Sequence, residues 1–513
     1  MTTNNVTKQL CEAVGEVMDL ERIAGLLSWD QQTMMPECGA PNRAQQISTI
    51  ALIAHERFIS EKIGKLLDKA ESDTNDDPYE SFGRSLVRIT RRSYEKKRRV
   101  PKELAGEMSE ASSKAHEAWV MARSKSDFSH FQPSLEKNLE LQRRYITCFE
   151  GASHPYDYLI ENYEPGMVTS DIKKIFADLK KGLVLLLKEI EDHGCEIDSS
   201  ILTTGTYSIK DQEIFVRNLI SKVGFQKNGW RLDTVVHPFA LRVGSGDIRI
   251  TTRFFDNYLP AGIFGAMHEF GHGLYEDSVS KQLTRTPLDS LSSLGLHESQ
   301  SRLWENQIAR SQPFWNHSFP TLQLAFAKQL RKSNAEDFYR AINQVKPNLI
   351  RVESDEITYN LHIILRFELE LALIEGSLEV ADLPDAWNER IYEYLGIHVP
   401  DDSQGVLQDP HWCFGFGYFP TYALGNLVAG QLWQRMNRDI PSLTDKIASG
   451  SFEPIRTWLT KNIYLRGAKL TLNETLDTVL ENPLSAQPHL DYLCDKYHNL
   501  YKIPESITRK RKI

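Results

Sequence analysis

Paired cysteines are missing from this chain. Its six cysteines (Cys11, Cys38, Cys148, Cys195, Cys413 and Cys494) are scattered over 513 residues with no CxxC, so neither a disulfide frame nor a thiolate metal site is expected. Any metal must then be held by histidines and carboxylates. Long apolar runs are missing too: nothing approaches the roughly 18 consecutive apolar residues that span a bilayer, and the polar start MTTNNVTKQL lacks the apolar centre of a secretory signal. There is no basic field, because the formal net charge is -9, which argues against nucleic acid or an anionic membrane as the main partner. A cytoplasmic protein acting on small peptides or metabolites is the class that remains.

What is present suits a large folded core. Hydrophobic residues at 41% with charged residues at 25% exclude global disorder. Most of the chain reads as amphipathic helix, as in IFADLKKGLVLLLKEI (175–190) and LAFAKQLRKSNAEDFYRAI (324–342). Turn-rich breaks lie at 71–78, 191–200 and 399–405, and neither an internal repeat nor a flexible interdomain linker is visible. The basic stretch RITRRSYEKKRRV (88–100) reads as a solvated helix face, and the terminal TRKRKI as a frayed end.

One region departs from helix. VVHPFALRV (235–243), a GSG turn and DIRITTRFF (247–255) read as a β-hairpin. Strand alternation puts Ile248, Ile250 and Thr252 on one face and Asp247, Arg249, Thr251 and Arg253 on the other. The strand 247–254 is also a candidate for pairing with an extended peptide.

The chemistry is carried by AMHEFGHGLYE (266–276). Residues four apart on a helix differ by about 40° in direction, so His268 and His272 can hold one ion, with Glu269 to its side as a general base. Gly271 and Gly273 each weaken the helix by about 1 kcal/mol relative to alanine, which makes sense where backbone or metal must approach closely. An accidental HExxH on an ordinary helix is the competing reading, and a third ligand decides between them. Glu298, in the helical segment LGLHESQSRLWEN (294–306), is the candidate; it shares a face with Arg302 and Glu305, and an exposed Glu298 to Arg302 pair is its bland alternative. His297 projects elsewhere on that helix.

Together with HEFGH, HESQSRLWEN and DIRIT, the segments LLSWDQQTMMP (26–36), ENYEPGM (161–167), IRVESDEITYNLHIILR (350–366) and GVLQDPHWCFGFGYFPTY (405–422) resemble the thermostable (Taq-type) metallocarboxypeptidase family. The family patterns fall on Asp247, Arg249 and Thr251; on His268, Glu269 and His272; on His297 to Arg302; on Ile350, Arg351, Ser354 and Asp355; and on Gly405, Gln408, Asp409, His411 and Trp412. The resemblance implies a mainly α, elongated zinc-peptidase fold with a deep central groove and a small β-sheet beside the active-site helix. It further implies one metallocarboxypeptidase domain over 1–513 with two lobes around the groove, assembled as a homodimer. The activity implied is removal of carboxy-terminal residues from peptides, with a divalent ion, zinc or cobalt, held by His268, His272 and Glu298. The alternatives are an oligopeptidase of the same fold that cuts internal bonds, and a non-catalytic helical scaffold with a relic metal site.

Hydrolysis needs more than a metal and a base. His411 and Tyr422 are the candidates to stabilise the oxyanion, because their spacing after the zinc helix looks like the His and Tyr pair of related gluzincins; Tyr418 competes with Tyr422. For the free carboxylate of the substrate, a helix over 349–373 carries a polar stripe of Arg351, Asp355, Thr358, His362 and Arg366, with Arg351 the preferred anchor and Arg249 next. A buried Arg351 to Asp355 pair is the structural alternative. His237 is a candidate contact to the substrate backbone.

Overall fold

The structure is a computed structural model and describes residues 5–504. It is mainly α-helical, with three short strands inserted before the HExxH helix. The chain opens with the long helix α1 (Asn5–Thr33), which folds back on α2 (Ala40–Phe58). Buried apolar side chains form one cluster that runs from Leu10 to Ile503. Among the described residues, no helix is long and apolar enough to cross a membrane.

The expected hairpin is present as β2 (Ala240–Gly244) and β3 (Asp247–Thr252), paired antiparallel. A third strand, β1 (Trp230–Thr234), pairs parallel with β3 and puts it at the centre of the sheet. Two expectations change as a result. Both edges of β3 are already hydrogen-bonded, so it cannot accept a peptide as an added strand. Thr251 is buried although alternation assigns it to the polar face, because its hydroxyl both accepts from Phe239 N–H (2.7 Å) and donates to Phe239 C=O (2.9 Å). Ile248, Ile250 and Thr252 are buried as the alternation requires.

The HExxH motif lies on the helix Pro260–Ser278, here the His helix, which packs on this sheet. Its two motif glycines are sites of close approach. A Cβ on Gly273 would stand 2.7 Å from the Trp230 ring and 3.0 Å from Ile248, while one on Gly271 would meet the backbone of Gln300 and Ser301. Gly271 therefore admits the Glu helix, Leu294–Arg302, against the His helix. From Leu303 to Ala309 the Glu helix continues as a wider π-helix.

Two long helical readings break up. The stretch 324–342 is interrupted at Phe326 and again before Ala335–Ile342, where Asn334 and Asp337 form a capping box. The helix expected over 349–373 begins only at Thr358: Asp355 accepts hydrogen bonds from the N–H groups of Ile357 and Thr358 and from the Thr358 hydroxyl. Arg351 sits before it in a short 3-10 turn, so the polar stripe is not one helical face. The basic stretch lies on the helix Phe82–Arg99, where Arg91 pairs with Asp68 and Glu71, and Arg92 with Glu161. The terminal TRKRKI lies outside the described residues.

Candidate active site

His268 and His272 leave the His helix side by side, their ring centroids 4.9 Å apart. Glu298 meets them from the Glu helix, with its Oε2 3.7 Å from His268 Nε2 and 3.4 Å from His272 Nε2. One ligating atom from each of the three lies within 4.8 Å of the others. Burial lowers the His272 imidazole to about 3, with help from neighbouring His297, so this ring is neutral and presents a lone pair. Burial alone would raise the Glu298 carboxyl, but Arg302, His268 and His272 outweigh it and hold Glu298 well below the usual carboxylate range. With its proton on Nδ1, a neutral His272 would turn an Nε2 lone pair toward the Glu298 oxygen, and a cation between them would be attracted by both. Two imidazoles and a carboxylate converging this way suit zinc-type coordination and leave room for further ligands. The donor set therefore fits a divalent metal.

Glu269 points beside this cluster. One of its carboxylate oxygens is buried with no hydrogen-bond partner among the described residues, and burial pushes the group up to about 7, with Glu298 and Glu305 adding to the effect and His268 opposing it. A second group of residues adjoins the cluster. His411 Nε2 lies 3.1 Å from the Tyr422 hydroxyl, and the ring of Tyr418 stands 5.3 Å from that of Tyr422. The Glu298 charge acts on both tyrosines, which places this arm beside the ligand cluster. Burial lowers His411 to about 4; Asp409 opposes the shift while Arg351 and Arg366 support it.

Arg351 lies under the same arm, with its guanidinium 5.0 Å from the centre of the Tyr422 ring. It pairs with Asp409 at 2.8 Å and donates to the Tyr359 hydroxyl at 3.2 Å. Arg366 also pairs with Asp409, at 2.7 Å. Two buried guanidiniums thus share one carboxylate, and the neighbouring neutral His411 adds no charge. The surplus is positive.

The family model for carboxypeptidase Taq (M32) metallopeptidases matches residues 9–497. The chain belongs to that family. The thermostable carboxypeptidase 1 of Thermus thermophilus is 41% identical over 512 residues, covering 98% of this chain and 100% of its own. Carboxypeptidase 1 of Bacillus subtilis is 36% identical over 502 residues, with 98% and 100% covered. Among solved structures, the M32 carboxypeptidase from Deinococcus radiodurans R1 matches with a TM-score of 0.94 at 37% identity, over 98% of this chain and 100% of that one. This M32 protein is a metallocarboxypeptidase, and a divalent metal belongs to its chemistry. The oligopeptidase and relic-scaffold readings find no support.

Within the M32 site, several sequence readings take a different form. The Arg351 to Asp355 pair does not form: Asp355 caps a helix and Asp409 is the partner of Arg351. Glu298 and Arg302 do pair, at 2.7 Å, but buried beside the histidines and not on an exposed face. His297 stays out of the ligand set, yet it does not turn away, since its ring stacks on His272 at 4.0 Å and its Nε2 lies 3.2 Å from Glu276. Arg249 forms a two-pronged pair with Asp247 of its own strand and lies over the Trp29 ring, while His237 is exposed in the loop between β1 and β2. The ENYEPGM segment serves the Glu helix: Glu164 accepts from the Ser293 hydroxyl (2.5 Å) and from Gly295 N–H. Sequence reasoning missed the parts played by Glu305, Asp409 and Tyr359. Only the shared face of Glu298, Arg302 and Glu305 signalled the first of these.

Proposed function

We propose that this metallocarboxypeptidase removes carboxy-terminal residues with broad specificity, using one zinc ion per subunit held by His268, His272 and Glu298. The observation that carries the reading is the convergence of those three side chains beside an unpartnered Glu269 carboxylate oxygen. When bound, the cation supplies Lewis-acid chemistry, polarising the carbonyl and acidifying water. Glu269 takes the proton of the attacking water and delivers it to the nitrogen of the leaving amino acid; its raised proton affinity suits both transfers. With the proton of its neutral ring on Nε2, His411 would donate to the Tyr422 oxygen and leave the Tyr422 hydroxyl proton free for the oxyanion.

Arg351 binds the free terminal carboxylate. Its guanidinium has more N–H groups than Asp409 and Tyr359 use, and the substrate carboxylate would balance the buried positive surplus. Arg249 and His237 are assigned to outer contacts with the peptide. We further assign the enzyme to the cytoplasm and to a homodimer, with cobalt able to replace zinc at such a donor set.

The test compares a short peptide with a free and an amidated end, before and after chelation and zinc readdition. Cleavage of the free peptide alone, lost on chelation and restored by zinc, is the expected result. Equal cleavage of both peptides removes the exopeptidase reading, and activity that survives chelation removes the metal.

A further inference from the structure

The two histidines of the ligand cluster are held in different ways. His268 Nδ1, the ring nitrogen away from Glu298, lies 2.8 Å from Glu305 Oε2, whereas His272 Nδ1 is buried with no hydrogen-bond partner and its ring is held by stacking on His297. Glu305 itself is outside the ligand cluster. It follows Glu298 by seven residues, so on a helix the two point nearly the same way. It lies just past Leu303, in the π-helix, an uncommon local form that often marks functional positions. Two carboxylates from one continuous helical run therefore flank the two nitrogens of a single imidazole.

We propose that Glu305 is a positioning residue for the metal site: its carboxylate accepts the Nδ1–H of His268 and so turns the Nε2 lone pair toward His272 and Glu298. The buried carboxylate is held in place from behind. Arg302 reaches it at 3.5 Å while binding Glu298 at 2.7 Å, and Arg310 reaches it at 3.4 Å. Arg310 is itself fixed by donating to the Ile342 carbonyl at 2.8 Å and by lying over the Phe264 ring. A carboxylate in this position settles both the tautomer and the ring orientation of a metal-binding histidine, and it increases the ring's basicity. Among the described residues no comparable group serves His272, so the effect of losing Glu305 falls on His268.

The inference rests on His268 being a ligand, and the experiment separates the two claims. Zinc affinity is measured by chelator competition for the full chain, Glu305→Gln and His268→Ala. In parallel, zinc-loaded wild type labelled with ¹⁵N-histidine reports the protonation state of each ring nitrogen. Expected are a His268 ring protonated at Nδ1 and a zinc affinity about 10- to 100-fold weaker in Glu305→Gln, at unchanged helical circular dichroism. Unchanged affinity in Glu305→Gln beside a large loss in His268→Ala overturns the role of Glu305 alone. Unchanged affinity in His268→Ala overturns the ligand assignment and the inference with it. Should Glu305→Gln fail to fold, the wild-type spectrum decides, because a His268 ring bound or unprotonated at Nδ1 overturns the proposal.

Discussion

Tyr418 and Tyr422 both stand next to His411, and one hydrogen bond distinguishes them. Tyr422 makes a direct hydrogen bond to the His411 ring, at 3.1 Å, whereas the Tyr418 ring lies tilted to it with centroids 5.5 Å apart. A donor that acts only on the oxyanion lowers turnover more than binding. Tyr422→Phe should therefore reduce kcat by about 10²- to 10³-fold with little change in KM, and Tyr418→Phe should do clearly less. Steady-state kinetics of both variants on one peptide make the comparison, and a larger loss in Tyr418→Phe would transfer the role. Residue identity alone left this choice open, because spacing along the chain does not say which hydroxyl meets the imidazole. The proposed metal ligands are different: His268 and His272 follow from helix periodicity, and Glu298 from a helical segment further along the chain.

At the scale of elements, the site depends on how closely two helices approach. Alanine in place of glycine inside a helix ordinarily stabilises it by about 1 kcal/mol. At Gly271 the sign should reverse, since a methyl group there would stand 2.7 Å from Ser301 Cα and closer still to the Gln300 carbonyl. Gly271→Ala is expected to lower the melting temperature and weaken divalent-metal binding together, because it would move Glu298 away from the histidines. A melting temperature at or above wild type would show that the helices do not need this contact.

Stability also depends on pH. Glu164, which anchors the start of the Glu helix, is pushed by burial up to about 7 from an ordinary value of 4.5, despite its bonds from Ser293 and Gly295. Between those two values the folded chain keeps a proton that the unfolded chain has released. Stability from this group is thus fully present below about 4.5, falls as pH rises, and is lost above about 7, an effect on the order of 3 kcal/mol. Urea midpoints from pH 5 to 8 should fall more steeply in wild type than in Glu164→Gln; parallel curves would contradict this. Strand β1 and the late start of the helix Thr358–Glu375 also belong to this scale. WRLDT is too short to announce itself and has its partner in a parallel strand, while the helix start depends on a cap by Asp355 that apolar periodicity does not register.

For the whole molecule, we propose that the chain folds as one domain, on the strength of the apolar cluster that runs through the described residues from Leu10 to Ile503. Calorimetry of the zinc-loaded enzyme should then show one cooperative transition, shifted upward by added zinc as a ligand of the folded state requires. Two resolved transitions with only one responding to zinc would divide the chain. The mainly α architecture, the hairpin and the candidate metal donor set were legible in the sequence alone, because helix and strand periodicity are local and metal chemistry accepts few residue types. Tertiary structure alone decided that Arg351 pairs with Asp409 and not Asp355, that Glu305 faces His268, and that β3 has no free edge. Each of those partners lies tens of residues away or on a separate strand, and packing of distant elements, which no local period encodes, brings them together.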